Sequence, residues 1–222
     1  MSRLHQVVGA AALLLAASAQ AAEIPLYPTG PSEDAAFLRF FNAGSEQLAL
    51  RAAGSQASLG VEPGRASDFL TVPAGKPVQG SLTLGSHEQA LDIRVEPGEF
   101  ATVVGVADAE QGLRLLTVRE QPDDFNALKA SLAFYNLDGR CAAAGVQVAG
   151  RSVAIFTDVA EGSLQRRSIN PVKLAVQLSC AGEPVGEPLD LGELAAGQRY
   201  TLLLVPSAKG PTLHQAQDNL AN

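Results

Sequence analysis

Short runs of alternating apolar and polar residues, separated by turn residues, recur along most of the chain. One series extends from Phe37 to Arg119, and a second extends from Ser131 to Val205. Glycine and proline stand between the runs, for example at Pro63-Gly64 and Pro97-Gly98. A period of two with such residues between the runs is typical of short β-strands joined by tight turns. We therefore predict an all-β protein.

The two series resemble each other. The first begins with "FLRFFNAGSEQLAL" and the second with "SLAFYNLDGRCAAA". In both, the first strand ends in an aromatic-asparagine pair, Phe41-Asn42 or Tyr135-Asn136. The segments "PGEFATVVGV" and "AGQRYTLLLV" follow at nearly the same offset. A repeat of this length predicts two tandem copies of one domain rather than a solenoid.

The short strands of each copy predict two tandem antiparallel β-sandwich domains, of jelly-roll, immunoglobulin-like or carbohydrate-binding-module-like type. A closed barrel is the alternative. Phe40 and Phe134 are expected to face equivalent cores. The predicted boundaries are 36–120 for the first sandwich, 121–130 for a polar linker, 131–206 for the second sandwich and 207–222 for a disordered tail.

The N-terminal residues have the features of an export signal. A short basic start precedes an apolar run from Val7 to Ala17, and Ala19-Gln20-Ala21 has the form of a signal peptidase site. The run is too short to span a bilayer. We predict a cleavable signal peptide over 1–21, with an uncleaved anchor helix as the alternative, and an extended segment over 22–35.

Charge and aromatic content restrict the possible ligands. The formal net charge is −7, aromatic residues make up 5% of the chain, and tryptophan is absent. The acidic balance argues against nucleic acid and against an anionic membrane surface as partners. Few rings are available to stack on sugars, because Tyr135 and Tyr200 fall at strand positions that are expected to be buried.

The two cysteines, Cys141 and Cys180, both lie in the second half. An exported chain can oxidise them, and closing a loop of this length stabilises the fold by about 4 kcal/mol in the chain-entropy estimate. We predict a disulfide, with two buried free thiols as the alternative.

Known catalytic motifs are missing from the sequence. His87 falls in a hairpin turn and His214 near the end of the chain, without metal-ligand spacing. Serine-nucleophile and zinc-protease motifs and phosphate-binding glycine loops are absent. Carboxylates such as Asp123-Asp124 fall at turns, where solvated acids are usual. We predict no catalytic residue, no metal site and no cofactor, with a glycosidase or a structural calcium site as remote alternatives.

Distinctive segments lie towards both ends of the mature chain. The first combines Asn170-Pro171-Val172-Lys173, the alternating strand that ends at Leu178, the turn "GEPVGEPLDLG" and the strand "LAAGQRYTLLLV". The second is the N-terminal "PLYPTGPSEDAAFLRFFNA". In these segments the chain resembles the AlgF family of periplasmic alginate O-acetylation proteins. The central residues, from about 50 to 125, match only in pattern.

The resemblance implies a non-catalytic accessory or adaptor protein of the periplasm that serves acetylation of mannuronate residues during alginate biosynthesis. It implies two kinds of partner, which are periplasmic SGNH-type acetyltransferases or acetyl carriers and a membrane-bound O-acyltransferase. A polysaccharide-binding module that grips the exported chain is the alternative. The Cys141/Cys180 pair is not expected in the alginate proteins, so acetylated cellulose is the other candidate polymer.

Arg166-Arg167 is the densest positive spot of this acidic chain, and it precedes a strand that begins at Asn170-Pro171. Proline cannot donate to a β-ladder, so the strand begins at an edge or a bulge, where charges discourage aggregation. Arginine also forms paired hydrogen bonds with carboxylates, either of a partner protein or of a uronate. We predict partner binding by Arg166, Arg167, Asn170 and Lys173, with edge protection as the alternative.

Overall fold

The computed structural model describes residues 35–121 and 126–221, and these residues form strands and no helix. The predicted signal peptide, residues 22–34 of the predicted extended segment and residues 122–125 of the predicted linker lie outside the described residues. The described residues contain no helix that is long and apolar enough to cross a membrane.

The first half contains eight strands: β1 (Ala35–Asn42), β2 (Leu48–Ala52), β3 (Leu59–Val61), β4 (Leu70–Pro73), β5 (Pro77–Leu84), β6 (His87–Arg94), β7 (Phe100–Asp108) and β8 (Gly112–Glu120). The second half contains another eight: β9 (Ala130–Asn136), β10 (Ala144–Val148), β11 (Ala154–Val159), β12 (Ser163–Ile169), β13 (Val172–Cys180), β14 (Glu183–Leu194), β15 (Arg199–Ser207) and β16 (Gly210–Gln217).

Each half folds into two four-stranded sheets, and the two halves have the same strand order. The first half has the orders β4-β1-β7-β8 and β3-β2-β5-β6, and the second half has β12-β9-β15-β16 and β11-β10-β13-β14. Adding eight to each strand number of the first half gives the second half. The prediction of two tandem β-sandwiches is confirmed. One pair in each half is parallel, β1 with β7 and β9 with β15, so the sheets are mixed rather than wholly antiparallel.

Each sandwich has its own core between its two sheets. Phe40 lies in the first core and Phe134 in the second, and both are buried, as the repeat predicts. The repeated asparagines join the two sheets of each sandwich. The Asn42 side-chain amide donates to the carbonyl of Val61 at 2.8 Å, and that of Asn136 donates to the carbonyl of Val159 at 2.8 Å.

The prediction of a disordered tail over 207–222 is wrong for the described residues up to 221. Gly210–Gln217 forms β16, which pairs with β15 along its whole length. The chain then crosses to the first sandwich, where the Asn219 carbonyl accepts a hydrogen bond from the Phe69 amide at 2.8 Å. The segment has few apolar residues because β15 supplies a backbone ladder and the second sandwich already has its core.

Candidate functional site

The two sandwiches pack against each other through one sheet of each. We call these the inner sheets; they are β4-β1-β7-β8 and β12-β9-β15-β16. A third apolar cluster lies between them, formed by Phe41, Val104, Val106, Val118, Ala133, Tyr135, Leu137, Leu203, Val205 and Ala216. The central strands of the inner sheets are therefore covered on both faces. This explains why "ATVVGV" and "YTLLLV" are continuous apolar runs, because strands buried on both faces lose the alternation.

Asp218 forms ion pairs on both sides of this junction. It lies just after β16, and its carboxylate accepts hydrogen bonds from Arg39 Nη1 at 2.7 Å and from Arg166 Nη2 at 3.0 Å. Thr201 Oγ1 donates to the same carboxylate at 2.7 Å. Arg39 belongs to β1 and also donates from Nε to Thr102 Oγ1 at 2.9 Å. One carboxylate thus connects the first strand of the first sandwich to the end of the second.

A second carboxylate, Glu120 at the end of β8, binds residues of the opposite sandwich. Arg166 engages both oxygens of Glu120, with Nη2 lying 2.9 Å from Oε2. The Tyr135 hydroxyl donates to Oε2 at 2.7 Å. Arg199 lies 3.5 Å from Oε1 and completes the group. We call Arg39, Glu120, Arg166, Arg199 and Asp218, with the hydroxyls around them, the junction cluster.

Burial and charge pairing determine the proton affinities of the junction cluster. Burial by itself raises the pKa of the Asp218 carboxyl, but Arg39 and Arg166 outweigh this effect, and its pKa lies below the ordinary value. Burial and the Glu120 charge raise the pKa of the Tyr135 hydroxyl, which therefore stays protonated as a donor. Burial alone would lower the pKa of Arg166, but Glu120 and Asp218 raise it, so the guanidinium is a permanent cation.

Arg39 is completely buried, and its Nη2 has no hydrogen-bond partner among the described residues. Its guanidinium carbon lies 4.3 Å from the centroid of the Phe69 ring. A cation over an aromatic face is stabilised electrostatically, which offsets part of the cost of the unpaired N–H. Phe69 also makes an edge-to-face contact with Phe100, at 5.0 Å between ring centroids.

The structure separates the two arginines that the sequence placed together. Side chains alternate along β12, so Arg166 points into the junction and is 5% exposed, whereas Arg167 is exposed on the other face. Arg167 lies over the rim of the second core, 5.9 Å from the centroid of the Phe156 ring. Partner binding by Arg166 stays a prediction. Its side chain is not free for an exposed contact, because its hydrogen-bond donors are bound to Ser131, Glu120 and Asp218.

Asn170 and Lys173 are exposed at one end of the second sandwich. The Asn170 side-chain oxygen accepts a hydrogen bond from Lys129 Nζ. Lys173 lies opposite Glu193 in the β13–β14 pair. The structure therefore brings Asn170 and Lys173 to the same end as Arg167 and leaves Arg166 inside the junction.

Cys141 and Cys180 are joined in a disulfide, with their Cα atoms 4.9 Å apart. Cys141 lies in the loop between β9 and β10 and Cys180 ends β13, so the bond joins this loop to the sheet that contains β13. It lies at the end opposite to Asn170 and Lys173. Both cysteines belong to the second sandwich.

Sequence reasoning missed Arg39, Glu120 and Asp218. A signal was present for Arg39, because a charge inside the apolar run "FLRFF" must find a buried partner. The partner could not be identified from the sequence, since Asp218 lies 179 residues away. Glu120 stands at the predicted boundary between the first domain and the linker, and Asp218 falls in the segment predicted to be disordered, so neither was expected to be buried.

The junction cluster lies where the two inner sheets meet. Arg39 pairs with Asp218 and Arg166 with Glu120 across the interface, and Arg166 also pairs with Asp218 within the second half. A cavity of about 200 Å³ opens onto the cluster; its lining includes Phe69, Phe100 and Leu220 together with Glu120, Arg166, Arg199 and Asp218. His214 packs its ring against Phe41 at 5.3 Å, and burial lowers the pKa of His214. No group of three or more potential metal ligands is found among residues 35–121 and 126–221.

A family model and one relative identify the family of this chain. The family model described as "Alginate O-acetyl transferase AlgF" matches residues 10–201. The "Alginate biosynthesis protein AlgF" of Pseudomonas aeruginosa is 30% identical over 190 residues, which cover 86% of this chain and 82% of that protein. The solved structure of the C-terminal domain of AlgF from the same organism also matches this chain. The match covers 40% of this chain and 98% of that domain, with 26% sequence identity and a TM-score of 0.35.

Proposed function

Because this chain belongs to the AlgF family, we propose that it is an accessory protein of alginate O-acetylation that acts as an adaptor for the acetylating enzymes. The proposed partners are the periplasmic SGNH-type acetyltransferase or acetyl carrier and the membrane-bound O-acyltransferase. The proposed substrate of the whole assembly is the mannuronate hydroxyl groups of the exported polymer. The acetyl transfer itself belongs to the partners.

The observation that carries this proposal is the buried junction between two similar sandwiches. An adaptor must hold two partners in a fixed relation, and a rigid junction between two domains provides that geometry. Breaking one partner of a buried ion pair is costly, so such pairs disfavour other relative positions of the two domains. Two ion pairs that cross this junction, Arg39 with Asp218 and Arg166 with Glu120, therefore support a defined relative orientation of the two sandwiches.

We propose a periplasmic location, which is where acetylation of the exported polymer takes place in the family. The N-terminal segment supports it by its signal-peptide pattern. The disulfide between Cys141 and Cys180 also fits this compartment, because disulfides persist in the oxidising periplasm and are rare in the cytosol.

A polysaccharide-binding role is the second candidate, and one observation favours it. A surface cleft of about 420 Å³ runs between the edge strands β6 and β8, lined by Arg94, Arg114, Arg119, Gln89 and Gln111 among others. Arginine and glutamine can bind the carboxylates and hydroxyls of a uronate chain. Asp92 in the cleft and Glu99 beside Arg119 offset much of this positive charge, so we rank this role below the adaptor role.

A gene deletion in the alginate-producing host tests the proposal. We expect the acetyl content of the secreted polymer to fall to background while the polymer yield stays unchanged, and an affinity-tagged copy to restore acetylation and to co-purify with the acetylating enzymes. Unchanged acetylation in the deletion strain would contradict any role in acetylation. Transfer of acetyl groups to polymannuronate by the purified chain alone would contradict the adaptor role.

A further inference from the structure

One end of the second sandwich differs in character from the rest of the described surface. β9 and β15 begin there, β12 and β14 end there, and β13 starts directly after β12. The loop between β10 and β11 reaches the same end, because the amide of Ala149 donates to the carbonyl of Ala175 at 2.9 Å. We call this surface the basic end, formed by residues 126–129, 149–153, 167–173 and 193–198.

Large apolar side chains are exposed at the basic end. Among the described residues, four large hydrophobic side chains are exposed, and three of them lie here: Leu128 is 80% exposed, Val153 is 55% and Val172 is 45%. They come from three separate segments of the chain. Clustering of exposed apolar groups on one surface, rimmed by polar residues, marks an interaction site more often than scattered single groups do.

Cations surround these apolar groups. The segments that define this end contain four cationic residues, Lys129, Arg151, Arg167 and Lys173. These described segments contain one acidic residue, Glu193. Arg151 has no ion-pair partner among residues 35–121 and 126–221, and Lys129 is bound to the neutral Asn170. This excess of positive charge stands out in a chain whose formal net charge is −7.

The corresponding end of the first sandwich provides an internal comparison. The equivalent connections are 53–58 between β2 and β3, 74–76 between β4 and β5, and 95–99 between β6 and β7. Large exposed hydrophobic side chains are not found in these described residues. Arg51, Lys76 and Arg94 lie near this end together with Glu96 and Glu99, and Glu99 is paired with Arg119. The exposed apolar groups therefore belong to the second copy and do not follow from the fold.

We propose that the basic end is the docking surface for an acidic protein surface that also carries apolar side chains, provided by one of the acetylating enzymes. The proposal rests on the adaptor function. Apolar groups from three segments require apolar contacts to be covered, which a polyuronate chain lacks. A second copy presenting the same end would bring like charges together. A separate protein with an acidic surface that also carries apolar side chains complements both the positive charge and the exposed apolar groups of the basic end.

The test compares two double variants with the same change of charge. Arg151→Glu with Lys173→Glu reverses the basic end, and Arg51→Glu with Lys76→Glu reverses the equivalent end of the first sandwich as the control. All four side chains are exposed, so both variants are expected to fold. A slightly lower thermal midpoint is expected for the first variant, because Lys173→Glu places a second carboxylate opposite Glu193. We expect about a tenfold loss of co-purified acetyltransferase or O-acyltransferase, and lower polymer acetylation, for the first variant alone, because reversed charges repel the partner.

A second variant, Val153→Ser with Val172→Ser, removes apolar groups without changing the charge and is expected to reduce co-purification as well. Normal co-purification of both variants would overturn the docking surface while leaving the adaptor function intact. A wild-type chain that captures neither enzyme would instead overturn the adaptor function. Saturable binding of oligomannuronate that only the first variant loses, or a dimer that only this variant loses, would also overturn the proposed partner.

Discussion

Arg39 shows how one residue can organise a structure over a long distance. It is buried inside an apolar strand of the first sandwich, and the carboxylate that neutralises it comes from Asp218 at the end of the second. The same carboxylate also pairs with Arg166, so one negative charge is shared between two buried guanidinium groups. A buried ion pair is costly to break because the remaining charge has lost its water and gains no other partner.

We predict that Asp218→Asn destabilises the protein by about 3–5 kcal/mol at neutral pH, because Arg39 and Arg166 lose their shared anion. Denaturant unfolding measures the change. Asp68→Asn serves as the control, since Asp68 is exposed, and we expect a change within about 0.5 kcal/mol. Equal stability of the two variants would show that the junction does not depend on this carboxylate.

The stability difference between the wild type and Asp218→Asn depends on pH, because the pKa of Asp218 is lowered in the folded protein. A carboxyl with a folded pKa below its unfolded value of about 3.9 contributes its full stabilisation above that pH and loses it as the pH falls through the folded pKa. We therefore expect the stability gap between wild type and Asp218→Asn to be constant from neutral pH to about 5 and to shrink below about 4.

At the scale of elements, the alternating pattern predicted most strands and their repeat, because a strand with one wet face must alternate. The central strands of the inner sheets were also recognisable. Their continuous apolar runs indicate burial on both faces, and this signal was not used to predict that the two sandwiches pack together. β16 could not be recognised, since a strand at a sheet edge needs only a backbone partner and few apolar residues. The parallel pairing of β1 with β7 has no local sequence signal, because it joins strands that are distant in the chain.

Truncation separates the two descriptions of the C-terminal segment. If residues 207–222 were disordered, a chain ending at Pro206 would fold normally. We expect this chain instead to be insoluble or strongly destabilised, because the edge of β15 is exposed and Asp218 is lost. A chain ending at Asn219 keeps β16 and Asp218 and is expected to fold. Measurement of soluble yield and far-UV circular dichroism decides between the two, and normal folding of the shorter chain would show that β16 is dispensable.

At the scale of the whole molecule, the repeat predicted two domains and equivalent cores at Phe40 and Phe134, but it said nothing about how the domains meet. Duplicated domains are often joined only by a linker, and their relative motion is the default expectation unless the interface is large and apolar. Here the apolar cluster and the junction cluster lie on the same interface. The two sandwiches are therefore expected to behave as one cooperative unit.

Two neighbouring residues of β1 test this cooperativity, because their side chains point to opposite faces. Phe40 lies in the first core and Phe41 in the junction, and both are fully buried. Truncation of either to alanine is expected to cost about 3–5 kcal/mol. We expect the calorimetric enthalpy of unfolding to equal the van't Hoff enthalpy for the wild type and for Phe40→Ala, and to exceed it for Phe41→Ala, because separate unfolding of the two halves breaks two-state behaviour. Two resolved transitions already in the wild type would show instead that the junction does not couple the sandwiches.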